Sequence, residues 1–228
     1  FNGGYIEAIG GFVISSFISF AFALYLKYMP VRNSGNEKCE ITYNQIFKFS
    51  LPLLYASLWG ILIASADQFF ISRYFGNEVF AEFSNGSMEL PFVGMIVGAC
   101  ATVLSPIFSR MSNENLNPQK EILPLWKSTF EKSAKLIYPL VIYCIVFADI
   151  IMIVLYGEQY ENSATYFRIK SSVDFFKVIV YAPLIINIGK VKYYSNVHMY
   201  GAIILIVLEY LSVITIHNPY AITIISVI

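Results

Sequence analysis

Residues 49–75 read FSLPLLYASLWGILIASADQFFISRYF, from Phe49 to Phe75, and this stretch decides the fold class. About 20 consecutive apolar residues carry a helix across a bilayer. Here a longer run contains only two charged side chains, Asp67 and Arg73. Within it Ala56, Gly60 and Ala64 recur every fourth residue, with Asp67 next on the same helical face and Ser57 and Ile71 flanking it. Small residues at that spacing let helix backbones approach closely inside lipid, where packing replaces the hydrophobic effect. Asp67 is therefore expected to face protein or a cavity. A carboxylate held against lipid costs about 2.5–3.5 kcal/mol or more.

The same character extends outward through all 228 residues. Hydrophobic residues make up 57% and charged residues 13%, against roughly 25% charged in a typical soluble domain. The 15 basic and 15 acidic residues cancel. This composition excludes an ordinary soluble enzyme and a disordered chain. A nucleic-acid binder, which needs a basic excess, is excluded too. The apolar blocks predict six full spans, at 5–29, 49–75, 88–109, 134–156, 173–189 and 199–216, and a truncated seventh at 218–228. Helices are required, because lipid demands internally satisfied backbone and no alternating barrel strands are present. The expected class is an all-α polytopic membrane protein.

Orientation follows from lysine and arginine. Lys27, Arg32, Lys38 and Lys48 follow the first span. Arg110, Lys120, Lys127, Lys132 and Lys135 follow the third, and Lys190 and Lys192 the fifth. Alternate loops are basic and hence cytoplasmic. Arg168 and Lys170 break the pattern, and we place them on a short outer surface helix over 160–171. Cys39, Cys100 and Cys144 form no disulfide framework. His198 and His217 lack the neighbours of a zinc site, so no metal or other cofactor is expected.

Ionisable residues in or near spans are Glu7, Asp67, Glu89, Asp149, Asp174, Lys177 and Glu209. Of these, Asp67, Asp149, Glu209 and Lys177 are the candidates for a substrate or ion pathway. Asp67 sits about 12 Å inside its span at 1.5 Å per residue. Asp174 and Lys177, three residues apart, are placed to neutralise each other. Tyr55 and Trp59, inside the second span, fit a cavity wall better than an interfacial anchor. Tyr181, Tyr193, Tyr194 and Tyr200 fit anchoring. Gly60, Gly94 and Gly98 read as helix-packing positions, and Pro91 and Pro106 as hinges.

Ordered strings along the chain resemble one family. The lead-in Phe47-Lys48-Phe49-Ser50-Leu51-Pro52 and the exit Asp67-Gln68-Phe69-Phe70-Ile71-Ser72-Arg73-Tyr74-Phe75-Gly76 look like the seventh helix of bacterial polysaccharide (O-antigen type) flippases. These belong to the multidrug/oligosaccharidyl-lipid/polysaccharide exporter superfamily. Phe80-Ala81-Glu82-Phe83-Ser84 resembles the family's short outer loop, with Glu82-Phe83 replacing its usual small-Tyr pair. Leu104-Ser105-Pro106-Ile107-Phe108-Ser109 resembles its V-x-x-P-x-x-S exit. Leu155-Tyr156-Gly157-Glu158-Gln159-Tyr160 resembles its L-[FY]-G-x-x-[FY] signature, followed by the small residue Ala164.

The resemblance implies half of a two-bundle, alternating-access transporter in a bacterial cytoplasmic (inner) membrane. Residues 1–29 would be the last helix of the N-terminal bundle, 30–48 a cytoplasmic inter-bundle loop, and 49–228 a truncated C-terminal bundle. The chain starts at Phe1 inside an apolar run and stops at Ile228 soon after His217-Asn218-Pro219. It is expected to be a piece of a longer protein that does not transport alone. The implied function is movement of undecaprenyl-diphosphate-linked oligosaccharide, with a coupling cation, H+ or Na+, and a polysaccharide polymerase as associated partners. Two alternatives stand beside it. One is a multidrug or organic-cation exporter of the same superfamily, suited by acids and aromatics. The other is an integral-membrane glycan-processing enzyme, for which no large outer loop or Arg/His set is present.

Overall fold

The computed structural model describes residues 5–31, 42–114 and 117–227. The chain divides into two units, residues 1–45 and 46–228. Among the described residues the structure is helical throughout, with no strand. The first unit is built on α1 (Tyr5–Val31). Its run Ile9–Lys27 is long and apolar enough to cross a membrane. Residues 32–41 lie outside the described part, and with them most of the expected inter-bundle loop.

The second unit begins within α2 (Tyr43–Gly86), a helix broken at Gly76, whose φ of 84° and ψ of 176° are not helical. That backbone region is open essentially to glycine alone. The first helical piece thus ends at Phe75, the residue expected to close the second span, and a second helical piece runs on to Gly86. The Cβ of an alanine at Gly86 would lie 2.4 Å from the Ser163 carbonyl oxygen and 2.6 Å from Tyr166 Cβ. Only hydrogen fits there, so Gly86 fixes where α2 meets α6 (Ser163–Ser171).

Next come α3 (Pro91–Asn113), α4 (Leu123–Val146) and α5 (Ala148–Tyr156). Pro91 opens α3, where its missing N–H removes nothing from the helix. Pro106 lies inside α3. The expected fourth span is a bent pair, with α4 and its lead-in meeting α5 at 73°. The Arg168 guanidinium donates to the Ile145 carbonyl (3.3 Å). A donor inserted into the helical ladder at this point is one of the recognised causes of a kink.

The expected fifth span, 173–189, is not one helix. It is divided into α7 (Asp174–Lys177) and α8 (Ala182–Asn187). Pro183 stands in the first turn of α8; its ring would clash with the carbonyl four residues back, and it has no N–H to donate. Carbonyls freed by the break find donors on α4. Trp126 Nε1 donates to Val180 (3.0 Å), and the Tyr138 hydroxyl donates to Phe175 (3.1 Å). Broken helices at membrane depth survive on such partners. The chain closes with α9 (Val191–Thr215), continuous where the sixth span was expected but beginning earlier, and α10 (Pro219–Ile225).

Among the described residues four helices are long and apolar enough to span a membrane, five if the bent pair counts as one span. This is a multi-pass membrane protein; the expected six and a truncated seventh become four or five by length. Its interior holds two main apolar clusters. One joins α3, α4, α5 and α6 through Val93, Ile137, Val141, Met152 and Phe167. The other joins α2, α6, α9 and α10 through Ile71, Phe83, Tyr166, Val213 and Ile222. Both clusters grip α6, which positions its charged residues.

Candidate functional site

A cavity of about 410 Å³ opens in the second unit. Ile63, Ala64, Asp67 and Gln68 of α2 form one wall. Phe83, Ser87, Met88 and Glu89 form a second, and Lys170, Ser171, Asp174 and Lys177 a third, with Ser226 beyond the end of α10. Five of these lining residues are ionisable, an expensive content for a membrane-helix bundle.

Asp67 is 2% exposed and forms an ion pair with Lys170. One carboxylate oxygen also accepts from the Gln68 amide (2.8 Å). Lys170 donates a further hydrogen bond to Ser226 Oγ (2.9 Å) and lies 5.6 Å from the centroid of the Phe83 ring, within cation–π range. Asp67 thus faces the cavity, while Ala64 on the same stripe is exposed and a Cβ on Gly60 would meet no neighbour within 4 Å.

A second charged group stands across the cavity. Lys177 Nζ lies 3.1 Å from Asp174 and 3.2 Å from Glu89. The i, i+3 pairing of Asp174 with Lys177 is as expected. Glu89 adds a second carboxylate from the connection before α3.

The other candidates lie elsewhere. Asp149 pairs with Arg168, and both side chains are more than one third exposed; neither lines the cavity. Glu209, on α9, is fully buried, and neither carboxylate oxygen has a hydrogen-bond partner among the described residues. Tyr55 is half exposed and Trp59 partly buried, and both are absent from the cavity wall. A Cβ placed on Gly60, Gly94 or Gly98 would meet no atom within 4 Å. Among the described glycines the tightest approach is at Gly86.

Lys170 and Arg168 are the residues that sequence reasoning misplaced. The surface helix expected over 160–171 is α6, which buries Ser163, Ala164, Tyr166, Phe167 and Ser171. Its two bases point to different acids, Arg168 to Asp149 on α5 and Lys170 to Asp67 on α2. The usable signal was the presence of two intramembrane acids needing counter-charges and of two bases in one short helix. Among the described residues no cluster of three His, Cys, Asp or Glu side chains is arranged to hold a metal ion.

In chemical terms the cavity offers lysine donors and carboxylate acceptors in one partly enclosed space. Such a space can hold a polar group. A family model described as polysaccharide biosynthesis protein matches residues 3–165. No curated protein and no solved structure matches the chain.

Proposed function

The chain belongs to the polysaccharide biosynthesis protein family, and from that premise we propose that it forms part of a flippase for lipid-linked oligosaccharide. The substrate is an undecaprenyl-diphosphate-linked glycan unit of O-antigen type, carried from the inner to the outer leaflet of a bacterial cytoplasmic membrane. The protein acts as a transporter, not an enzyme.

The observation that carries this proposal is the cavity with Lys170 and Lys177 on its wall. A flippase must offer a path to a polar, anionic head while the prenyl tail remains in lipid. Lysine is a compact cationic donor suited to phosphate oxygens. Both lysines are held by carboxylates, Lys170 by Asp67 and Lys177 by Asp174 and Glu89. An arriving diphosphate competes with those carboxylates. A proton or Na+ taken up by a carboxylate would weaken its hold on the lysine. The charge state of Asp67 would then bias inward or outward opening, since a ligand shifts such an equilibrium only by its differential affinity for the two states. A polysaccharide polymerase is the partner expected to consume the delivered unit.

The test is genetic. In a flippase-null strain the intact protein restores surface glycan, and Lys177→Gln, present at normal membrane level, does not. Full export by the Lys177→Gln protein would contradict a role for this cavity in handling the head group.

A further inference from the structure

Two basic segments far apart in the sequence meet at one apolar groove. The groove, of about 210 Å³, has Gln119, Ile122 and Leu123 on one side and Leu184 and Ile188 on the other. Gln119 and Ile122 belong to a π-helical turn, Pro118–Ile122, that leads into α4. Such turns are rare and are often found at functional sites. Leu184 lies in α8, and Ile188 follows it. Both walls are anchored. Ile122 is buried with Leu104 and Phe108 of α3, and Leu184 packs on the same cluster. Asn187 Nδ2 donates to Ser105 Oγ (2.9 Å), which fastens α8 to α3. Trp126 Nε1 donates to the Val180 carbonyl, which ties α4 to the chain before α8.

Four lysines stand beside these walls in the sequence. Lys120 directly follows Gln119, and Lys127 is one turn beyond Leu123 on the same face of α4. Lys190 precedes α9, and Lys192 lies in its first turn, two and four residues after Ile188. All four are exposed. No ion pair among the described residues uses any of them. The acids of the same two segments are Glu121 and Glu131, so positive charge is in excess. Both segments are expected on the cytoplasmic side. Leu184 and Ile188 close the stretch expected to cross the membrane there, which places the groove at the inner interface.

An apolar groove with unpaired lysines at that level suits an amphiphile with acyl chains and an anionic phosphate head. Basic pockets at the cytoplasmic ends of membrane helices hold such heads. We propose that an anionic phospholipid of the inner leaflet, of the phosphatidylglycerol kind, occupies this groove. An acyl chain lies along Ile122, Leu123, Leu184 and Ile188, and the phosphate lies among Lys120, Lys127 and Lys190. The site is separate from the charged cavity and does not depend on what the protein transports. The lipid fills the space between α8 and the turn leading into α4, and so braces the divided stretch 173–189.

Trp126 reports on this groove, because it lies one turn from Ile122 and packs on the same cluster. The intact protein, with Trp59 and any further tryptophan changed to phenylalanine, is reconstituted in phosphatidylcholine vesicles. A brominated lipid, which quenches a tryptophan it touches, is then titrated in. Brominated phosphatidylglycerol should quench Trp126 at a mole fraction about tenfold lower than brominated phosphatidylcholine does. Lys120→Gln combined with Lys190→Gln should bring the two lipids near parity; Lys127→Gln with Lys192→Gln stands in if that pair fails to fold. Lys132→Gln with Lys135→Gln, exposed and more than two turns beyond Leu123, removes the same charge and should keep the preference. Equal quenching by the two lipids in the wild type overturns the proposal, as an ordinary lipid contact. So does a preference that survives loss of the groove lysines, or one that falls equally in the Lys132 and Lys135 variant. Loss of the preference to inorganic phosphate at fixed ionic strength marks a free-anion site and overturns it as well. None of these outcomes bears on the flippase proposal.

Discussion

At the carboxylate of Asp67, burial and pairing act in opposite directions. Burial at 2% exposure disfavours the charge, and the Lys170 ammonium restores it. Removing one partner of a buried pair typically costs about 3–5 kcal/mol, because the other charge is left uncompensated. Lys170→Met should therefore lower the stability of the detergent-purified protein by an amount of that order. Asp67→Asn combined with Lys170→Met should recover most of the loss without restoring export. Thermal unfolding of the three proteins measures this; equal destabilisation of the single and double variants would refute it. Asp149 contrasts with Asp67. Its partner is Arg168, and neither residue lines the cavity. Asp149→Asn should therefore leave export close to wild type in whatever protein reaches the membrane. That Asp67 would avoid lipid was legible from the cost of a carboxylate there. Its partner was not, because Lys170 lies 103 positions away and no periodic pattern records such a pairing.

At the level of elements, composition predicts where apolar helices run but not where they break. The end of the second span at Phe75 was readable, since glycine follows it, and the structure breaks at Gly76. The divided segment at 173–189 was not, although Pro183 lies inside it. Apolar content there satisfies a hydropathy window whether or not the backbone is continuous. The breaks are held by distant donors, Trp126 and Tyr138 at one and Arg168 at the other. Glycine roles were likewise ambiguous by spacing. Gly86, outside any regular stripe, makes the tight approach. Gly86→Ala forces backbone to move and should cost about 1–3 kcal/mol, as overpacking does. Gly60→Ala has open space and should change stability by less than about 0.5 kcal/mol. Chemical unfolding of both variants decides between this assignment and a packing role for the Gly60 stripe, which would reverse their order.

For the whole molecule, the basic loops predict which residues face the cytoplasm. Ser34, in the first such loop, lies outside the described residues. Gln119 and Glu161 are both exposed and stand in loops expected on opposite sides. In a background lacking Cys39, Cys100 and Cys144, an impermeant maleimide applied to intact cells should label Glu161→Cys and spare Gln119→Cys. The reverse pattern would invert the topology. Membrane character and helical class were legible from composition alone, and the family from ordered motifs that the match over residues 3–165 supports. The cavity was not legible, because its walls come from α2, α6, α7 and the chain beyond α10 and meet only in the folded bundle. Whether that cavity moves lipid-linked glycan is decided by reconstitution. Vesicles bearing a polyprenyl-diphosphate oligosaccharide are treated with an external glycosidase that cannot cross the bilayer. With the intact wild-type protein, digestion should proceed past the outer-leaflet pool into the inner one. With folded Asp67→Asn it should stop at the outer-leaflet pool. Digestion that stops there with the wild type, or runs on equally with Asp67→Asn, would contradict the proposed flippase.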